Sequence, residues 1–151
     1  MSDQNQLITV LTAEDDPDDR AMVKEAFQKS GQNNSLFFVQ DGIELLQYLR
    51  KLGRYSAPIS TPRPDLILLD LNMPRMDGRQ ALAEIKADPD LRSIPVVVLT
   101  ISNIQDDILH TYDLGGAGFI IKPETFEGMV EMVNGLSQYW FEVVELASGN
   151  R

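Results

Sequence analysis

Four stretches of this 151-residue chain carry the side chains best suited to chemistry. The first is Glu14-Asp15-Asp16-Pro17-Asp18-Asp19, five carboxylates in six residues; the others are Asp70, Thr100 and Lys122. Each lies at or just beyond the end of a short apolar run, Leu7 to Thr12, Asp65 to Leu69, Val96 to Leu99 and Phe119 to Ile121. If those runs are parallel strands, their ends share one rim. Carboxylates gathered there repel one another, and their pKa values rise without a counter-charge. A hard divalent cation bound through oxygen relieves this, and Mg²⁺ suits one or two carboxylates with waters and a phosphoryl oxygen. Lys122 brings a mobile cationic charge and Thr100 a hydroxyl donor. Carboxylate, metal, ammonium and hydroxyl around one cavity are what a transferring phosphoryl group requires. Asp70 is the natural nucleophile, because carboxylates form aspartyl-phosphate intermediates. Singly, each position has an ordinary explanation: acidic runs before helices favour the helix dipole, a strand-final Thr follows β-propensity, and Lys-Pro opens a helix. Delivered together from four separate elements, they make a site.

The elements that must position these residues follow from periodicity. Leu7 to Thr12 reads as a strand, and Pro17 suits the first turn of a helix carrying Met22, Val23, Ala26 and Phe27 until Gly31. Leu36 to Val39 is a second strand, and Ile43, Leu45, Leu46 and Leu49 mark a helix stopping near Gly53. Residues 53–64 hold three of the eight prolines and read as a loop. The strands Asp65 to Asp70 and Val96 to Thr100 are apolar on both faces, as in parallel sheets covered by helices. Between them Gly78 precedes a helix through Leu82 and Ile85 that ends near Asp88-Pro89. Residues 104–114 read as helical, Phe119 to Ile121 as a fifth strand, and a last helix begins near Pro123 with Phe126, Met129, Val130, Val133 and Leu136 on its apolar stripe. The expected fold is α/β: a doubly wound, five-stranded parallel sheet with helices on both faces. Ligands of such sheets bind beyond the carboxyl ends of the strands.

Composition narrows the function. Hydrophobic residues make up 43% and charged ones 24%, and a chain of this length buries roughly 68–70% of its unfolded surface. One domain without covalent staples is expected. The net charge of −10 disfavours nucleic acid and anionic membrane as partners. The absence of cysteine excludes disulfides, thiolate metal sites and cysteine nucleophiles. No signal peptide or membrane span is legible, and a cytoplasmic location is expected. A flavin-binding protein of the same fold would need Ser, Thr and Gly in the first loop, where this chain has carboxylates. An EF-hand beginning at Glu14 fails because its sixth position is Asp19 rather than Gly. An aspartyl-phosphate hydrolase would want a second Asp at Asn72. His110, the single histidine, reads as a surface residue.

These motifs resemble the receiver domain of two-component response regulators. The resemblance covers about Leu7 to Val133 and rests on Glu14-Asp15 within AEDDPDD, on PDLILLDLNMPRMDG, on IPVVVLT, and on FIIKP ending in Lys122-Pro123. It implies a flavodoxin-like sheet with strand order 2-1-3-4-5. It implies that Asp70 is the phosphoacceptor, and that Asp15, Asp70 and the Asn72 carbonyl ligate Mg²⁺ with Glu14 assisting through water. Thr100 would be the switch hydroxyl, Phe119 the switch aromatic, Lys122 the phosphate-pairing lysine, and the Lys122–Pro123 bond cis. The partner would be a histidine kinase, and the only reactions catalysed would be the chain's own phosphorylation and dephosphorylation. Ile101 departs from the family pattern, in which a small residue or Thr follows the switch hydroxyl; its bulk would restrict access to the acyl phosphate.

A narrower resemblance is to stand-alone regulators serving bacterial phytochrome kinases, carried by the Tyr55-to-Pro64 insert, by LAEIKADPDLRSIPVVVLT and by SQYWFEVVEL. It implies a light-signalling pathway and a homodimer formed through the last helix and its extension. The alternative is a chemotaxis-like or phosphorelay adaptor unrelated to light; with no DNA-binding or enzymatic output segment in the sequence, the expected output is a protein contact. The division expected is a receiver domain over 1–133 and an extension over 134–151. Trp140 and Phe141 are the expected interface anchors, the competing reading being that they fold back on their own monomer.

Overall fold

The structure, a computed structural model, describes residues 8–30, 34–56, 61–101 and 112–139. Most of the helix expected over 104–114, together with His110, Trp140 and Phe141, lies outside the described residues.

β1 is Ile8–Ala13, α1 Pro17–Ser30, β2 Asn34–Val39, α2 Gly42–Arg50, β3 Leu66–Leu69, α3 Gly78–Ala87, β4 Val96–Thr100, β5 Gly118–Ile121 and α4 Phe126–Leu136. Among the described residues, helices follow β1, β2, β3 and β5. All strands pair in parallel in the order β2-β1-β3-β4-β5. The order reverses beside β1, which places the ends of β1 and β3 next to each other at the crevice where ligands of such sheets bind.

The apolar runs of β3 and β4 are buried on both faces, as their lack of alternation requires. Along β3, Ile67 and Leu69 join a core with Leu45, Leu46 and Tyr48 of α2 and Ala81, Leu82 and Ile85 of α3. Leu66 and Leu68 face the other way, onto Val23, Ala26 and Phe27 of α1 and Met129, Val133 and Leu136 of α4. The sheet is therefore doubly wound. Among the described residues no helix is long and apolar enough to cross a membrane.

Helix starts are fixed by side-chain caps. Asp41 accepts from the Glu44 N–H at 2.8 Å, Asp77 from Gln80 at 3.0 Å, and Thr125 from Gly128 at 3.0 Å. The last cap explains why α4 begins at Phe126 rather than near Pro123. β2 begins two residues earlier than its apolar run, because Asn34 and Ser35 continue the ladder opposite Ile8 and Thr9. The loop after α2 contains a short 3₁₀ turn, Gly53–Ser56, anchored by a tilted ring contact of Tyr55 with Tyr48, centroids 5.2 Å apart. One expectation is corrected: the Lys122–Pro123 bond is trans, as are all described peptide bonds. Trans is the intrinsic preference even before proline, and the turn from β5 into the Thr125 cap is made without departing from it.

Candidate functional site: an acidic pocket at the carboxyl edge of the sheet

The ends of β1, β3, β4 and β5 converge as their sequence positions require. The Asp70 N–H donates to the Ala13 carbonyl at 3.1 Å, tying the end of β3 to that of β1. The Lys122 N–H donates to the Thr100 carbonyl at 2.7 Å, tying β5 to β4. Glu14, Asp70 and Thr100 are buried. The carboxylates of Glu14, Asp15 and Asp70 each offer an oxygen within 4.8 Å of the others, with Asp15 the most open to solvent.

Lys122 stands over this group. Its Nζ donates to Glu14 Oε1 at 2.8 Å, to Asp19 Oδ2 at 3.0 Å and to Asp70 Oδ2 at 3.4 Å. Asp70 also accepts from the Asn72 N–H at 3.1 Å. The Asn72 side-chain amide donates to Thr100 Oγ1 at 3.3 Å, so the loop after β3 touches the hydroxyl at the end of β4. Phe119 is half-buried opposite Val98, and so shares with Thr100 the sheet face covered by α2 and α3.

The electrostatics follow from crowding. Burial, reinforced by the charge of Asp70, pushes the Glu14 carboxyl up to about 7, and its hydrogen bond with Lys122 only partly opposes this. Burial also raises Asp70 above the ordinary carboxylate range, again against the pull of Lys122. For Lys122, burial favours the neutral form, but Glu14, Asp70 and Asp19 outweigh it and hold the ammonium above its usual value. One ammonium does not balance the negative charge around it. An all-oxygen donor set with that deficit fits a hard divalent cation.

The site residues expected from the sequence are thus brought together: Glu14, Asp15, Asp70 and Lys122 form one cluster, and Asn72 joins the loop after β3 to Thr100 beside it. Two features were not foreseen. Asp19, one turn into α1, shares Lys122, whereas its neighbour Asp16 is occupied in holding the Asp18 and Asp19 N–H groups. The side-chain contact from Asn72 to Thr100 is the other. Nothing in the sequence signals either contact. Ile101, beside the buried Thr100, is 73% exposed.

Comparison with known proteins agrees with this geometry. A family model, the response regulator receiver domain, matches residues 10–134. The chain is 40% identical to response regulator Rcp1 of Synechocystis sp., over 97% of this chain and 98% of that protein. It resembles the crystal structure of the phosphorylated cyanobacterial phytochrome response regulator RcpA with a TM-score of 0.86 and 40% identity, covering 94% of this chain and 99% of that one. The Mn²⁺-bound form of Rcp1 matches with a TM-score of 0.83 and 40% identity, over 92% and 98% of the two chains. With a sheet of order 2-1-3-4-5 and an acidic pocket suited to a divalent cation, the chain belongs to the response regulator receiver family, and it is a phosphoacceptor signalling protein.

Proposed function

We propose that Asp70 takes a phosphoryl group from the phosphohistidine of a histidine kinase in a Mg²⁺-dependent reaction. The observation that carries this reading is the position of the Asp70 carboxylate, buried at the end of β3, 3.4 Å from the Lys122 ammonium and beside Glu14 and Asp15. An Asp70 oxygen attacks phosphorus, the P–N bond breaks, and the departing imidazole nitrogen keeps the electron pair. Asp15, Asp70 and the Asn72 carbonyl would hold the cation, with Glu14 acting through water. When bound, Mg²⁺ supplies positive charge against the phosphoryl oxygens. Lys122 gives up part of its contact with the carboxylates to pair with the incoming oxygens, and Thr100 donates its hydroxyl to another. Water attacking phosphorus at the same site returns the free carboxylate and inorganic phosphate, so dephosphorylation uses the same residues.

The switch follows from the same contacts. Movement of the Thr100 hydroxyl towards the phosphoryl group vacates space on the α2/α3 side of the sheet, into which Phe119 turns. The two positions form a two-state element that phosphorylation biases by its differential affinity.

The pathway is that of a bacterial phytochrome kinase, supported by the similarity to Rcp1 and RcpA over nearly the whole chain. The location is cytoplasmic. Residues 1–133 form the receiver and 134–151 an extension through which two copies associate, with Trp140 and Phe141 as anchors. Incubation with acetyl phosphate should add one phosphoryl group with Mg²⁺ and none with EDTA; equal labelling in both would overturn the metal requirement. A phosphotransfer profile against purified histidine kinases tests the pathway, and faster transfer from a kinase without a chromophore would redirect it.

A further inference from the structure

The loop joining β3 to α3 carries Asn72 at one end and a strained residue at the other. Arg75 adopts a left-handed backbone, with φ of 65°, which costs any residue bearing a Cβ. Its side chain is not loose. Nε donates to Asp41 Oδ2 at 2.8 Å and Nη2 to Asp41 Oδ1 at 3.1 Å, a two-point pair with a carboxylate that is only 4% exposed. Asp41 is fixed in turn as the cap of α2, accepting the Glu44 N–H. The next residue repeats the tie through the backbone: the Gly42 N–H donates to the Met76 carbonyl at 3.0 Å. That approach is so close that a Cβ on Gly42 would stand 2.4 Å from the Met76 oxygen. Asp41 has a support of its own, since the adjoining Gln40 N–H donates to Glu44 Oε1 at 2.8 Å, and the Glu44 carboxylate is capped by Arg54 and Tyr55 of the 3₁₀ turn.

We propose that Asp41 and Arg75 form a latch that holds the β3–α3 loop in its strained turn and so positions the Asn72 carbonyl for the cation. Asp41 is a positioning residue, acting through Arg75 and the loop backbone rather than touching phosphate or metal. The strain at Arg75 makes the tie necessary. A left-handed residue with a side chain relaxes unless its surroundings over-determine it, and relaxation here moves the five-residue stretch between Asn72 and Met76. Outer ties of this kind set the affinity of a metal site because they fix its ligands before the ion arrives. The inference rests on the reading of Asn72 as a ligand, and the experiment separates the two.

Three variants divide the contributions. Arg75→Ala removes the pair and keeps a Cβ in the left-handed turn. Arg75→Gly removes both the pair and the penalty. Asp41→Asn keeps an oxygen to cap α2 but loses the charge. Mg²⁺ titrations by calorimetry should show Arg75→Ala weakened by about fivefold, the scale set by one left-handed residue. Asp41→Asn should weaken in the same direction, and Arg75→Gly should bind more tightly than Arg75→Ala. In metal-free protein, amide exchange over Asn72–Met76 should quicken in Arg75→Ala with that of the central strands unchanged. Wild-type affinity and wild-type exchange in both Arg75→Ala and Asp41→Asn would overturn the latch. Quickened exchange with unchanged Mg²⁺ affinity would overturn the positioning role. Retained Mg²⁺ binding in Asp15→Ala would instead overturn the metal site itself, and with it the role given to Asp41.

Discussion

The carbonyl oxygen of Asp70 lies against Gly78 so closely that a Cβ at that glycine would stand 2.4 Å from it, with the Leu71 Cα at 2.8 Å. The Asp70 backbone and the first residue of α3 therefore occupy space that only glycine leaves available. The Gly78 N–H donates to the Leu71 carbonyl at 2.9 Å, closing the loop between them.

Gly78→Ala should displace the end of β3 relative to α3. The obstructing atoms are backbone, so the adjustment cannot be local to one side chain. We expect a loss of stability of about 1–3 kcal/mol and a larger proportional loss of labelling by acetyl phosphate. Urea unfolding and initial labelling rates check both; unchanged labelling would show that Asp70 tolerates the shift.

Glu14 predicts a pH dependence. Its carboxyl stands at about 7 in the folded, metal-free protein against an ordinary 4.5. The folded state thus binds this proton more tightly than the unfolded chain does. The stabilisation is fully present below about pH 4.5 and is lost as pH rises through about 7. Its upper limit is on the order of 3 kcal/mol. Asp70 shifts in the same direction, so in EDTA the Tm should fall between pH 5 and 8, less steeply in Glu14→Gln. Added Mg²⁺ should flatten the profile, because a cation replaces the proton as the neutralising charge. A steeper fall in Glu14→Gln would contradict the assignment.

The sheet and most of the pocket were legible because they follow from local pattern. Asp70, Thr100 and Lys122 each close an apolar run, and parallel pairing alone brings such ends to one rim. Asp19 was not legible as a partner of Lys122, since that contact depends on the rotation of α1 about its axis. Glu44 escaped notice for a similar reason: in sequence it is a charge in a helix, and only the return of Arg54 and Tyr55 buries it. The trans Lys122–Pro123 bond departs from what the family resemblance implied, and no local pattern distinguishes the two isomers.

Thr12 offers a stability test remote from charge. Its hydroxyl is buried on β1 with no hydrogen-bond partner among the described residues. Thr12→Val keeps the shape and removes the unsatisfied group, so stability should rise by about 1 kcal/mol. A lowered urea midpoint would mean that the hydroxyl is satisfied in solution.

Ile101 bears on access to the pocket. Its side chain is exposed next in sequence to the buried Thr100, and the family resemblance implies that its bulk restricts access to the acyl phosphate. Ile101→Ala should speed labelling by acetyl phosphate and shorten the lifetime of the phosphorylated form, since both small donor and water gain entry. Unchanged rates in both directions would show that Ile101 stands clear of the path.

Phosphorylation of Asp70 is the central claim, and intact-mass measurement of the Asp70→Asn variant tests it most directly. The amide keeps the shape of the carboxylate and removes the nucleophile. With Mg²⁺ and acetyl phosphate, the wild type should gain one hydroxylamine-labile phosphoryl group and Asp70→Asn none. Equal labelling of the two proteins would contradict the account and place the acceptor elsewhere.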